Sequence, residues 1–245
     1  MLSYIWNLLL YHPLVNALAF LVSVIPGGDV GLAVIVLTVI VKLALFPLSQ
    51  RAIESQAQMS ILAPELNKIK ESGASKEEQA KQTFELYKKH KTNPFSGCLL
   101  VLIQIPIIFA LYFVFYKGIK LNGDMLYSFI HAPEHLNMIF LGVLDIGGKS
   151  LLLAILAGAS QYFQAYFMPK PATSPPAIPG SFGESFSKSM SMQMKYIFPF
   201  LMAFISYSSG VIALYFIASN IFAIGQQIYA KRKDPLVIEA VKYNE

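Results

Sequence analysis

The chain has 245 residues, 55% of them hydrophobic and only 13% charged, with a mean hydropathy of +0.54. That balance excludes an ordinary soluble domain, and the single cysteine, Cys98, excludes an internal disulfide and any cysteine-based metal site. The formal charge of +5 could suggest nucleic acid, but the basic residues stand beside apolar segments, where orientation and anionic lipid account for them first.

The apolar runs have helix length and lack the alternation of barrel strands, so an all-α integral membrane protein is expected. Residues 1–28 form the first segment. Leu2 to Ile25 is apolar and nearly uncharged, with Tyr4, Trp6, Asn7, Tyr11 and Asn16 interspersed. A cleaved signal peptide is disfavoured because no Lys or Arg precedes the apolar part. A spanning helix fits by length, whereas the aromatic and Asn residues favour an N-terminal interfacial helix.

Residues 29–49 read as the first transmembrane helix. Gly31 to Leu48 would be roughly 27 Å long, close to a bilayer core of ~30 Å, with Lys42 about 16 Å from its start. A charge at that depth costs about 3 kcal/mol and normally faces protein or trapped water. Snorkelling toward Leu48 is the bland alternative. Helical side chains lean toward the N-terminus, so Lys42 points toward Thr38 and mid-depth, which favours a polar cavity.

From 50 to 92 the sequence turns hydrophilic, with eight basic and six acidic residues between Ser49 and Thr92. Met59, Leu62, Leu66 and Ile69 make the stripe of a first helical arm, which Pro64 should bend. Ser72-Gly73 ends it, and Ser75-Lys76-Glu77-Glu78 reads as a capping box opening a second arm that presents Phe84 and Tyr87. Residues 93–117 read as the second transmembrane helix, with Gln104 and Pro106 at mid-depth. A loop at 118–149 follows; its His131 and His135 flank Pro133 without a third ligand, so no metal and no cofactor is expected.

Residues 150–168 read as the third transmembrane helix, with Gln161 and Gln164 on one face. Residues 169–195 form a loop with five prolines and then Met190, Met192 and Met194. Residues 196–230 hold the fourth and fifth transmembrane helices, and 231–245 a tail opening on Lys231-Arg232-Lys233. Five spans put fifteen Lys or Arg on the side of the hairpin, the Pro-rich loop and the tail, and three (Lys117, Lys120, Lys149) on the other. The positive-inside rule then makes the hairpin and tail cytoplasmic and 118–149 external.

The string VKLALFPLSQRA, the segment Asn93-Pro94-Phe95-Ser96-Gly97-Cys98, Leu102-Ile103-Gln104-Ile105-Pro106 and the pairs Tyr215-Phe216 and Ser219-Asn220 closely resemble the YidC/Oxa/Alb family of membrane-protein insertases. The resemblance covers nearly the whole chain. It implies a five-transmembrane-helix core with a cytoplasmic helical hairpin, without a large external domain, in the bacterial plasma (inner) membrane. It further implies a hydrophilic groove open to cytoplasm and lipid, and no enzyme is expected, since a Ser219–Lys42 nucleophile pair would have no recognisable oxyanion donors or third group. Lys42 stands where the family usually has arginine, so the charge is kept but the bidentate fork is lost. Thr38, Gln104, Gln161, Gln164 and Ser219 become the expected groove lining, and Tyr215 and Phe216 the expected client contacts. The implied partners are nascent membrane proteins and anionic lipids, with the ribosome and a Sec-type translocon as further candidates and no direct reading of nucleic acid. A small-solute or ion transporter is the rival reading. The sequence shows no inverted repeat and no membrane-embedded acid to support it.

Overall fold

A computed structural model of the chain describes residues 6–90, 105, 107–110, 113, 126–133, 135–167 and 196–238. Most of the predicted second span, including Gln104, the segment 93–98 and the Pro-rich loop all lie outside them. The chain divides into two compact units.

In the first unit a single π-type turn, Asn7–Tyr11, leads into helix α1, His12–Val24. Pro26–Gly28 then reverses the chain through two left-handed glycines, Gly27 (φ 75°) and Gly28 (φ 62°). Helix α2, Val30–Ala44, starts where Asp29 accepts a hydrogen bond from the Leu32 amide at 3.0 Å, satisfying one of the helix's orphan donors. Leu14, Leu18 and Val22 on α1 and Val30, Ala33, Val34 and Leu37 on α2 are buried, in the spacing that gives each helix one apolar face toward the core. The opposite stripe of α2, Val36, Ile40 and Leu43, is exposed and apolar, as a helix in contact with lipid requires.

A two-stranded antiparallel hairpin, β1 (Ile139–Phe140) and β2 (Leu144–Asp145), sits against the start of α2. The Val30 amide donates to the Asn137 carbonyl, and Asn137 donates to the Gly28 carbonyl, both at 3.0 Å. The second oxygen of Asp29 accepts from the Leu141 amide at 2.8 Å. Most of helices α6 (Leu151–Phe167) and α7 (Phe198–Tyr207) and the first half of α8 (Gly210–Lys233) belong to this unit. Backbone comes very close at two points. A Cβ at Gly158 would lie 2.9 Å from the Ala203 Cβ, and one at Gly210 would lie 2.7 Å from the Ile146 Cα.

In the second unit, helix α3 (Phe46–Ile61) continues to α4 (Ala63–Glu71), and α5 (Lys76–Lys89) returns. Pro64 falls in the first turn of α4, where its missing N–H costs nothing, so the arm breaks at Leu62 rather than bending within one helix. Met59, Leu62, Leu66, Leu86 and Tyr87 bury one another, with Ile69 packed alongside. Burial there pushes the Tyr87 phenol up to about 12. Phe84, expected on the same face as Tyr87, is 70% exposed. Ser75 caps α5 by accepting from the Glu78 amide, but Glu78 turns forward to accept from Gln82 instead of reaching back, so half of the predicted capping box forms. At the foot of α3, Ile53 and Ala57 pack with Ala230 and Val237. Asp234 caps the final turn there, accepting from the Leu236 amide at 3.0 Å and from Gln50 Nε2 at 3.2 Å.

The expected continuous span at 29–49 stops at Ala44. Pro47 cannot donate to the helical ladder and restricts Phe46, so the helix ends at Leu45 and restarts. Lys42 therefore lies in the last turn of α2, nearer a helix end than the uninterrupted run implies. Among the described residues, Asn7–Val24 and Gly210–Lys233 are long and apolar enough to cross a bilayer. The number rises to three if Val30–Ala44 and Phe46–Ile61 form one broken span, while Leu151–Phe167 and Phe198–Tyr207 are apolar but shorter.

Candidate functional site

Leu37, Thr38, Val41 and Lys42 fall on one side of α2, away from the exposed Val36, Ile40 and Leu43, because residues three, four and five apart share about half the circumference of a helix. This side borders a narrow cavity in the first unit. Leu14 of α1, Ile107 and Tyr215 of α8 complete its lining. Lys42 is half-buried, whereas Thr38 and Tyr215 are buried.

Among the described residues this cavity exposes an apolar wall, and Gln104, expected in the groove lining, lies outside them. Thr38 turns its hydroxyl back onto its own helix, donating to the Val34 carbonyl at 2.7 Å, so it presents its methyl side and keeps only acceptor capacity. Leu14, Leu37, Val41 and Ile107 supply the rest. Lys42 thus packs its stem among hydrocarbon, one turn from Thr38, in the direction the N-terminal lean of helical side chains predicts. A cation in the last turn of a helix also faces the negative end of the helix dipole, worth about 0.3–1 kcal/mol.

None of the other described site residues is in the lining of this cavity. Ser219 and Phe216 on α8 are buried but do not line the cavity, and Phe216 instead packs its ring 5.3 Å from that of Tyr215. Gln161, half-buried at the end of the first unit, also lies off the cavity, and Gln164 belongs to the second unit. The residue after Ser219 makes an interhelical hydrogen bond. Asn220 Nδ2 donates to Ser160 Oγ at 2.9 Å, and Ser160 donates in turn to the Ala157 carbonyl at 2.8 Å. The pair Ser219-Asn220 was visible in the sequence as a polar interruption of an apolar run; which of the two faces α6 is set by helix rotation. Leu14 was not anticipated as a site residue, since nothing local to α1 announces which residue of α2 it will meet.

A family model described as "60Kd inner membrane protein" matches residues 20–236. The chain is 33% identical over 238 residues to a membrane protein insertase YidC of Oleidesulfovibrio alaskensis, an alignment covering 95% of this chain and 40% of that protein. To the insertase of the same name from Nitratidesulfovibrio vulgaris it is 32% identical over 229 residues, 93% of this chain and 39% of the relative. The chain thus spans about two fifths of these relatives' length. It is also 32% identical over 237 residues to a YidC insertase of Fusobacterium nucleatum, and there the match covers 95% of this chain and 99% of the relative. With apolar helices of spanning length and a family match running through α2, the hairpin and α8, the chain belongs to the 60Kd inner membrane protein family, that of the YidC insertases.

Proposed function

We propose that this protein is a membrane-protein insertase, which receives hydrophobic segments of nascent membrane proteins beside Lys42 and releases them into the bilayer. The observation that carries the reading is a lysine on the packed side of an otherwise apolar helix, with its opposite stripe free for lipid. A cation kept there offers a transient partner to an acid in a client's translocated segment, while apolar walls suit the hydrophobic segment that follows. No covalent step is required, so the protein is read as a non-enzyme. The names of its relatives favour this over a transporter. Anionic lipid is the proposed surface partner of the basic hairpin, and a ribosome or translocon would act upstream of the same site.

A photoactivatable residue at Val41 or Tyr215, in the full chain in membrane vesicles, should crosslink to an arrested nascent chain bearing one apolar segment. Crosslinks confined to lipid, with insertion intact, would remove clients from the cavity. For orientation we propose five spans with the hairpin and tail cytoplasmic, on the strength of the fifteen-to-three distribution of basic residues. Glu77→Cys, exposed and clear of the Ser75 cap, in a Cys98→Ser background should react with an impermeant thiol reagent only after the membrane is opened. Labelling in intact cells would reverse the topology.

A further inference from the structure

The turn of the hairpin breaks a local preference. Leu141 (φ 51°) and Gly142 (φ 73°) both occupy the left-handed region, and the Val143 amide donates to the Phe140 carbonyl at 3.1 Å, the pattern of a type I′ turn. Asn-Gly is the usual pair in such a turn; a leucine at its first central position is costly and is held by Asp29, whose carboxylate takes the Leu141 amide. The result is sidedness. Phe140 packs inward over Gly31, while Ile139, Leu141 and Val143 point out, 48%, 60% and 87% exposed. Residues 136–144, LNMIFLGVL, carry no charge.

The position of this apolar edge identifies what covers it. Asp29 is the N-cap of α2, so it marks the N-terminal end of the helix whose Val36, Ile40 and Leu43 are exposed and apolar. The Leu141 amide bonded to Asp29 therefore stands at the N-terminal end of α2, level with its first turn.

We propose that Ile139, Leu141 and Val143 insert into the boundary between headgroups and acyl chains at the N-terminal end of α2, fixing the depth of that end. The occupant is the bilayer itself. Water would leave three adjacent apolar side chains uncovered on a strained turn, and an uncharged tip is what an interface admits.

The full chain, in a Trp6→Phe background so that Trp6, its single native tryptophan, does not report, is reconstituted into phosphatidylcholine–phosphatidylglycerol vesicles carrying Val143→Trp, Leu141→Trp or, as a control in water, Lys68→Trp. Lipids brominated near the glycerol end of the acyl chain should take most of the emission from the two tip positions and none from the control, while aqueous iodide should do the reverse. Asp29→Ala should move the Leu141→Trp reporter toward the iodide pattern. Tip reporters quenched by iodide as fully as the control overturn the proposal, and so do tip reporters shielded from both quenchers, which would mean a protein partner covers the tip. The readout is position, so a failure of the insertase reading leaves it unaffected.

Discussion

Lys42→Ala should lower insertion of a client with an acidic translocated segment by roughly ten- to a hundredfold, with Lys42→Arg close to the parent and Lys42→Glu below the alanine variant. The range follows from a pair at ~4 Å, worth about 1 kcal/mol in water and about 4 kcal/mol at an effective dielectric constant of 20; the partly packed Lys42 falls between these limits. Each ~1.4 kcal/mol is a factor of ten in rate. The stability of the empty protein should move the other way or stay flat. The dipole gain of about 0.3–1 kcal/mol offsets only part of what packing an ammonium among apolar side chains costs. Reconstituted insertion of one acidic client, measured beside thermal melting for all four proteins at matched amounts, checks both. Equal insertion by the parent and Lys42→Ala would end the role of the charge, and clients without acids should be less affected in either case.

Gly210→Ala and Gly225→Ala make the same change in one helix and should have opposite signs. A Cβ at Gly210 would lie 2.7 Å from the Ile146 Cα and 3.0 Å from the Ile146 carbonyl oxygen, both backbone atoms that cannot turn aside. The contact exists because the first amides of α8 are used there: Gly210 donates to the Gly148 carbonyl at 3.0 Å and Val211 to the Ile146 carbonyl at 3.2 Å. Pushing residues 146–148 away costs about 1–3 kcal/mol in overpacking, and about 1 kcal/mol more for each of the two weakened hydrogen bonds, for a total of about 3–5 kcal/mol. A Cβ at Gly225 meets nothing within 4 Å, so alanine there should stabilise the helix by about 0.5–1 kcal/mol. Thermal melting in one detergent decides the pair. A Gly210→Ala protein melting at or above the parent temperature would show that residues 146–148 yield to α8.

What could be read from the residues was mostly what short-range rules control. The stripe Met59, Leu62, Leu66 and Ile69 lies at the hairpin's interface because its spacing matches a helical turn. Ser75 caps its helix because a hydroxyl at that position has an orphan amide within reach. The hidden part depended on how two segments meet. Phe84 and Tyr87 are three apart and could share a face, yet the rotation of α5 about its partner buries one and exposes the other. Composition suggests that polar residues gather around Lys42, but Thr38 satisfies its hydroxyl within its own helix, and Ser219 and Gln161 are not in the lining of its cavity. The apolar run from Gly31 to Leu48 is unbroken in composition, yet its helix ends at Ala44 because Pro47 removes a ladder donor and restricts Phe46.

The carboxylate of Asp29 also imposes an order on biosynthesis. Its first oxygen serves Leu32, three residues on, and its second serves Leu141, 112 residues on. A chain growing from its N-terminus can complete the first bond as soon as α2 winds, but the second waits for more than a hundred further residues. Until then Gly31 lacks the ring of Phe140 above it, and the Val30 amide lacks the Asn137 carbonyl. The membrane end of α2 is consequently made in two instalments, and the later one, a non-local closure, is the slower kind of contact.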